Sequence, residues 1–156
     1  MNETAQVIDL LLVEDSPDDR EMALHSLKKH RLSNRILAVK DGEEALDFLF
    51  NRGPYSDRNA DDNPRVVLLD VKLPKIDGLE VLRQIRKNEK TRYLPVVMLT
   101  SSDAESDLVK SYQLGANSYI VKPVDFRNFT DTVSELGYYW AVVNKPIQDT
   151  KLVDEQ

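Results

Sequence analysis

The stretch VVLLD at residues 66–70 consists of four apolar residues followed by one carboxylate. Three other stretches share this design: residues 10–15 end in Glu-Asp, 96–100 end in Thr, and 119–123 end in Lys-Pro. Short apolar runs without alternation are typical of strands buried on both faces, as in a parallel sheet that helices cover. Ligands of such sheets bind just beyond the carboxyl ends of the strands. The pattern therefore predicts that three carboxylates, a hydroxyl and an ammonium converge at one sheet edge.

Helical patterns separate these apolar runs. A first helix is expected to have Ser16 as its N-cap and Pro17 as its first residue, with Met22, Leu24 and Leu27 on its inner side. The other expected elements are a strand at 35–39, a helix from 41, a surface loop at 51–64, a helix at 79–88, a strand from 95, a helix ending at 115 and a last helix with an apolar stripe at 126–143. Five strand–helix units predict an α/β protein with a doubly wound, five-stranded parallel sheet in the order 2-1-3-4-5.

The composition limits the possible function classes. Acidic residues outnumber basic ones by 27 to 21, which argues against nucleic acid as a direct partner because its phosphates would be repelled. The chain has no cysteine, which excludes disulfides, thiol catalysis and zinc–thiolate sites. The first residues lack the features of a signal peptide, and no apolar run is long enough for a membrane helix. We therefore expect a cytoplasmic protein without membrane contact.

The residues at the expected sheet edge suit a divalent cation and a phosphoryl group. The carboxylates of Glu14, Asp15 and Asp70 would repel one another unless a cation joined them. Mg²⁺ is suitable because it binds through one or two carboxylates, keeps several waters and accepts phosphate oxygens. Lys122 follows a buried strand, where an unpaired ammonium is costly, so we expect it near these acids. Thr100, at a neighbouring strand end, is expected to contact the phosphoryl group.

Four motifs in this order resemble the receiver domains of response regulators in two-component signalling. They are LLVEDSPDD at 11–19, LDVKLPKIDG at 69–78, LTS at 99–101 and VKP at 121–123. The resemblance covers residues 8–143 and leaves 1–7 and 144–156 as tails. It implies a flavodoxin-like receiver fold with an extended last helix.

The resemblance also implies the chemistry of the site. Asp70 is the expected phosphoryl acceptor, and Glu14, Asp15 and Asp70 are expected to hold Mg²⁺ together with the backbone carbonyl of Lys72. A sensor histidine kinase is the implied partner, and its phosphohistidine is the donor. Positioning and electrostatics dominate such a transfer, and Mg²⁺ offsets the charge that builds on the phosphoryl oxygens.

Three further residues complete the implied switch. Thr100 and Lys122 are expected to bind the phosphoryl oxygens, and Tyr119 is expected to be the switch aromatic that turns inward when the threonine moves. The bond before Pro123 is expected to be cis. Movement of these groups would change a face built from the fourth helix, the fifth strand and the fifth helix.

The function implied by the resemblance is that of a single-domain response regulator in a phosphorelay. Such a phosphoprotein carries an aspartyl phosphate, acts only on itself by phosphotransfer and slow hydrolysis, and is not an enzyme with an external substrate. Too few residues follow Val143 for a DNA-binding module. We therefore expect output through protein contacts or assembly.

The last expected helix is apolar on every side near its end. This segment includes Tyr138, Tyr139, Trp140 and Val143. Exposed aromatic patches are typical of interfaces, which favours a symmetric homodimer, although residues 144–156 could instead fold back over the second side. The segment and the long loop at 51–64 resemble the single-domain regulators paired with phytochrome-type histidine kinases.

Other functions fit the sequence less well. A receiver-like interaction module without phosphorylation would be expected to lack one or more site residues, and all are present. A hydrolase resembling the haloacid dehalogenases would need a second aspartate two positions after Asp70, where this chain has Lys72. A nucleotide-binding protein would show a glycine-rich turn after the first strand, where this chain has residues EDSP. Flavin binding would conflict with the acidic cluster.

Overall fold

The computed structural model of the chain describes residues 8, 10–29, 35–59, 62–100 and 110–121. For residues 26–29, 100 and 118–121 it describes the backbone only. Five strands form one sheet: β1 (Leu10–Val13), β2 (Ile36–Val39), β3 (Val66–Asp70), β4 (Val96–Thr100) and β5 (Ser118–Val121). All neighbouring strands are parallel, and their order is β2-β1-β3-β4-β5. The sheet order predicted from the sequence is therefore confirmed.

Three helices pack beside the strands: α1 (Pro17–Lys29), α2 (Gly42–Leu49) and α3 (Gly78–Lys87). Each begins at a side chain that accepts a hydrogen bond from the helix backbone, since Ser16 accepts from Asp19, Asp41 from Glu44, and Asp77 from Leu79. Residues 110–113 are also helical, and residues 53–55 form a short 3₁₀ helix. Among the described helices, none has the length and apolar character needed to cross a membrane.

Alternate residues of the strands pack on opposite faces of the sheet. Leu11, Val67 and Met98 pack on the face that α2 and α3 cover, where Leu46 and Ile85 belong to the same cluster. The second face has a separate cluster whose buried members are Leu10, Leu12, Ala23, Val66, Leu68, Val97 and Leu99. All four residues of β1 are fully buried, as expected for a strand covered on both sides.

The inner side of α1 differs from the prediction. Ala23 is buried, whereas Met22 is 37% exposed, so the inward position of Met22 is wrong. Leu24 is half-buried against the second cluster, as predicted, and the side chain of Leu27 lies outside the described part of α1. The apolar spacing of α1 is compatible with either Met22 or Ala23 facing the sheet. The small side chain of Ala23 lets the helix approach the sheet closely.

The segment between α2 and β3 packs tightly against α2. The guanidinium of Arg58 lies 4.0 Å from the ring centre of Phe48 and donates a hydrogen bond of 3.0 Å to the Phe48 carbonyl. The ring of Tyr55 meets Phe48 edge-on at 5.3 Å, and its hydroxyl donates to Glu44. Burial and the carboxylate of Glu44 raise the pKa of Tyr55 to about 12, so this hydrogen bond persists across the neutral range. The predicted surface loop is therefore held against α2 by specific contacts of Tyr55 and Arg58.

The side chain of Arg86 joins three segments at the amino ends of the strands. Its guanidinium donates two hydrogen bonds to the Gly115 carbonyl, one each to the Leu94 and Arg92 carbonyls, and one to the Asn117 side chain, at 2.7–3.2 Å. Burial lowers the pKa of Arg86, and among the described residues it has no carboxylate partner in a salt bridge. The guanidinium thus binds only neutral oxygens among the described residues, and it holds the segments that precede β4 and β5 together.

We predict that Arg86→Met lowers the free energy of unfolding by about 1–3 kcal/mol, because the part-buried carbonyl oxygens of Leu94 and Gly115 lose a charged donor. Arg83→Met is the matched control on the same helix, since Arg83 is exposed and pairs with Glu80 one turn away. The control is expected to change stability by less than about 0.5 kcal/mol. Urea unfolding followed by circular dichroism measures both values. Equal losses would contradict the role assigned to Arg86.

Candidate functional site

Three carboxylates meet at the carboxyl edge of the sheet. Glu14, Asp15 and Asp70 each place one carboxylate oxygen within 4.8 Å of the others. The cause is strand register: β1 and β3 are neighbours, Val13 lies opposite Leu69, and the residues that follow therefore lie side by side. The predicted convergence of these three acids is confirmed in the geometry.

The acids differ in their exposure to solvent. Glu14 is 2% and Asp70 6% exposed, whereas Asp15 is exposed. The backbone N–H of Ser16 donates to Glu14 at 3.1 Å, and the backbone N–H of Lys72 donates to Asp70 at 3.2 Å. Burying like charges this close together is unfavourable unless a positive charge joins them. A set of carboxylate oxygens with one solvent-facing member fits Mg²⁺ or Mn²⁺, which favour oxygen ligands and keep bound water.

The turn after β3 forces the chain close to Asp70. A Cβ atom at Gly78 would lie 2.0 Å from the Asp70 carbonyl oxygen, so only glycine fits there. The Gly78 N–H donates to the Val71 carbonyl at 2.7 Å and closes the turn. Asp77 then begins α3 by accepting hydrogen bonds from Leu79 and Glu80. This packing fixes the position of residues 71–77, which we call the β3–α3 loop.

A cavity of about 630 Å³ opens beside this loop. Asp15, Lys72 and Pro74 line it, and Lys110 lines it from the helical residues 110–113. Because Asp15 belongs to both the cavity and the acidic cluster, the cavity connects the cluster to solvent. Lys110 lies between the recognisable motifs, and no local sequence pattern indicates that it reaches this site.

The backbone brings two further predicted residues towards the same edge. Asp70 lies opposite Leu99, so Thr100 ends β4 one residue beyond that pair. Thr100 in turn lies opposite Val121, and Tyr119 lies opposite Met98 in β5. For Thr100 and Tyr119 the structure describes the backbone and not the side chain. The predicted residues Lys122, Pro123, Tyr138, Tyr139, Trp140 and Val143, together with the last helix and residues 144–156, also lie outside the described residues.

Salt bridges near the site join two segments that are distant in the sequence. The Lys75 Nζ lies 3.2 Å from Glu43 and 3.6 Å from Asp41, both in the first turn of α2 or at its cap. Hydrogen bonding to Glu43, followed by the charge of Asp41, raises the pKa of Lys75. Lys75 is separated from Glu43 by more than thirty positions in the sequence, and no local pattern indicates such a contact.

Comparison with known proteins identifies the family. The sequence model described as "Response regulator receiver domain" matches residues 10–134. The chain belongs to this family. It is therefore a receiver-domain signalling protein, and its fold is the flavodoxin-like receiver fold expected from the motifs.

Three similar proteins illustrate the relationship. The probable methanogenesis regulatory protein FilR2 of Methanothrix harundinacea is 38% identical over 87% of this chain and 85% of its own length. Response regulator Rcp1 of Synechocystis is 35% identical over 84% of this chain and 87% of its own. The crystal structure of Rcp1 in an Mn²⁺-bound form matches with a TM-score of 0.80 over 90% of this chain and 99% of Rcp1, at 34% identity. The bacteriophytochrome response regulator RtBRR is 48% identical over 96% of this chain and 90% of its own, with a TM-score of 0.74.

We predict that Asp15→Asn removes the stabilisation that a divalent cation gives this protein. In the absence of metal, the variant should be as stable as the wild type or slightly more stable, because one of three mutually repelling charges is gone. At a Mn²⁺ concentration about 100-fold above Kd, the wild type should gain about 2.7 kcal/mol, and the variant should gain much less. Thermal unfolding with and without Mn²⁺ measures both effects.

The matched control is Asp57→Asn, which removes an exposed acid from the segment between α2 and β3. This variant is expected to gain as much from Mn²⁺ as the wild type. Equal gains for Asp15→Asn and the wild type would show that the cation binds elsewhere.

Proposed function

We propose that this chain is a response regulator that accepts a phosphoryl group on Asp70, in the presence of Mg²⁺, from a sensor histidine kinase in the cytoplasm. The observation that carries the proposal is the meeting of Glu14, Asp15 and Asp70 within 4.8 Å at the tip of the central strand. The Mn²⁺-bound form of Rcp1 supports a divalent cation at such a site.

The residues have distinct roles in the proposed transfer. An oxygen of Asp70 attacks phosphorus and forms a P–O bond while the P–N bond to the donor histidine breaks, and the imidazole nitrogen keeps the electron pair and takes up a proton. Glu14, Asp15 and Asp70 would hold Mg²⁺ together with the backbone carbonyl of Lys72. The cation, when bound, offsets the negative charge on the phosphoryl oxygens. The chain itself contributes mainly positioning and electrostatics.

The strand register supports roles for Thr100 and Lys122 in the phosphorylated state. Thr100 follows the residue opposite Asp70, and Lys122 follows Val121, which lies opposite Thr100. A phosphoryl group adds roughly −1.5 to −2 charge at Asp70, which would draw a hydroxyl and an ammonium towards it. In the proposed switch, Tyr119 then turns inward and changes a face built from β5 and the fourth and fifth helices that the sequence predicts.

We predict that acetyl phosphate and Mg²⁺ add one phosphoryl group to the wild type and none to Asp70→Asn. Intact-protein mass spectrometry measures the adduct, and chelation of Mg²⁺ should prevent it. Asp77→Asn is the matched control, because asparagine also caps helices well and Asp77 lies outside the acidic cluster. It should be phosphorylated like the wild type. An unmodified wild type with intact circular dichroism would favour a receiver-like interaction module that is not phosphorylated.

The proposed kinase is of the phytochrome type. The support is the 48% identity to the bacteriophytochrome response regulator RtBRR over 96% of this chain, against 38% to FilR2. In the same mass assay, a phosphorylated phytochrome-type histidine kinase should transfer its phosphoryl group faster than a phosphorylated histidine kinase without a phytochrome sensor. Equal transfer rates would contradict the pairing.

The proposal includes a homodimer through the apolar segment that contains Tyr138, Tyr139, Trp140 and Val143. We predict that Trp140→Ala raises the dimer dissociation constant at least about tenfold, since buried aromatic residues dominate many interfaces. Sedimentation velocity before and after phosphorylation measures this value. Tyr93→Ala is the control, because Tyr93 is 61% exposed and lies in the segment between α3 and β4. A wild-type monomer at high concentration in both states would rule out the dimer.

A further inference from the structure

The β3–α3 loop has one half that is fixed to the sheet. Its first residue, Val71, donates a backbone hydrogen bond to the Leu99 carbonyl at 3.0 Å and accepts one from Gly78. The N–H of Lys72 donates to the Asp70 carboxylate. The start of the loop is therefore tied directly to the proposed phosphoryl acceptor.

The other half of the loop has a strained backbone. Lys75 has a φ of +68°, and the Ile76 N–H donates across it to the Pro74 carbonyl at 2.8 Å. A three-residue turn with positive φ at a residue other than glycine is uncommon and unfavourable in isolation. Such a conformation persists only where the surrounding structure holds it. The loop must therefore have an anchor near Lys75.

The first turn of α2 provides that anchor. The Lys75 ammonium lies 3.2 Å from the Glu43 carboxylate and 3.6 Å from that of Asp41, and Asp41 is only 4% exposed. A Cβ atom at Gly42 would lie 2.2 Å from the Ile76 carbonyl oxygen, so the loop backbone rests directly on the helix. Contact and charge together dock the loop on α2.

The other charged groups near this contact are already engaged or point elsewhere. Glu44 accepts hydrogen bonds from the Tyr55 hydroxyl and the Lys40 N–H. Among the described residues, Lys40 makes no side-chain salt bridge. Lys75 is therefore the cation that faces the acids Asp41 and Glu43.

We propose that Lys75 is a positioning residue for the metal site: its salt bridges to Asp41 and Glu43 hold the β3–α3 loop on α2 and so fix the backbone of Lys72 beside Asp70. This inference rests on the proposed function, in which the Lys72 carbonyl is a ligand of the cation. Lys75 does not touch the cation or the phosphoryl group. It acts through the loop, and its loss lets the loop backbone leave the strained conformation.

The direction in which Mn²⁺ affinity changes on loss of Lys75 distinguishes a positioning role from simple charge repulsion. Removal of a positive charge near an acidic cluster should strengthen cation binding if charge alone matters. The positioning role requires the opposite, because a displaced Lys72 carbonyl binds the cation less well. Lys75→Gln should therefore weaken Mn²⁺ binding by roughly two- to fivefold, the range expected for a largely exposed ion pair.

The experiment is a titration of the metal-free, unphosphorylated protein with Mn²⁺, in which electron paramagnetic resonance measures the free ion. Lys40→Gln is the matched control: it removes an exposed lysine next to the same helix turn and should leave the affinity unchanged or raise it. Lys75→Arg keeps the charge and should bind Mn²⁺ within about twofold of the wild type. Lys75→Gly removes the anchor while it tolerates positive φ, so it should fold normally and still bind Mn²⁺ more weakly.

The salt dependence of Mn²⁺ affinity is a second measurement. A role of Lys75 that did not depend on its charge would not give this dependence. The weakening caused by Lys75→Gln should shrink towards none near 1 M salt, because screening removes the contribution of the exposed pair in the wild type. Affinity of Lys75→Gln equal to or above that of the wild type at low salt would overturn the positioning role alone. Failure of the wild type to bind Mn²⁺ would overturn the metal site and, with it, this proposal.

Discussion

The parallel pairing of β1 with β3 is the constraint on which the site depends. Val13 lies opposite Leu69, and both strands are fully buried, so their register cannot shift without moving apolar side chains to the wrong face. The residues that follow, Glu14 and Asp70, are thereby held side by side at the sheet edge. The hydrophobic core thus provides the free energy that keeps two buried carboxylates close together, an arrangement that the acids themselves oppose.

The repulsion between these carboxylates favours the binding of a cation. The backbone N–H of Ser16 donates to Glu14 and that of Lys72 donates to Asp70, but a neutral donor does not cancel the charge of a carboxylate. In the proposed function, a divalent cation supplies positive charge between these acids, and a phosphoryl group on Asp70 shares that cation. Apolar packing elsewhere in a protein can hold charged groups in an arrangement that they would not adopt alone. Such preorganised charges are a general feature of functional sites.

Much of this architecture could be predicted from the sequence because it depends on local patterns. Apolar runs that end in polar residues located the strands, Ser16 could be recognised as a helix cap, and the start of α2 could be placed near Asp41. The inward position of Met22 was wrong, since Ala23 occupies it. Arg86, Arg58 and Lys75 had no local signal, because each makes its decisive contacts with segments that only the folded chain brings near.

Two of these unpredicted cations stabilise opposite edges of the sheet by different means. Arg86 is half-buried and its hydrogen-bond acceptors are neutral oxygens, so its contacts at the amino ends of β4 and β5 depend little on salt. Lys75 is 59% exposed and pairs with carboxylates, which makes its contribution weaker and screened by ions. The rigid contact therefore lies far from the site, while the adjustable one holds the loop beside Asp70. In the proposed switch, the edge that responds to phosphorylation has to move while the opposite edge keeps the strands in register.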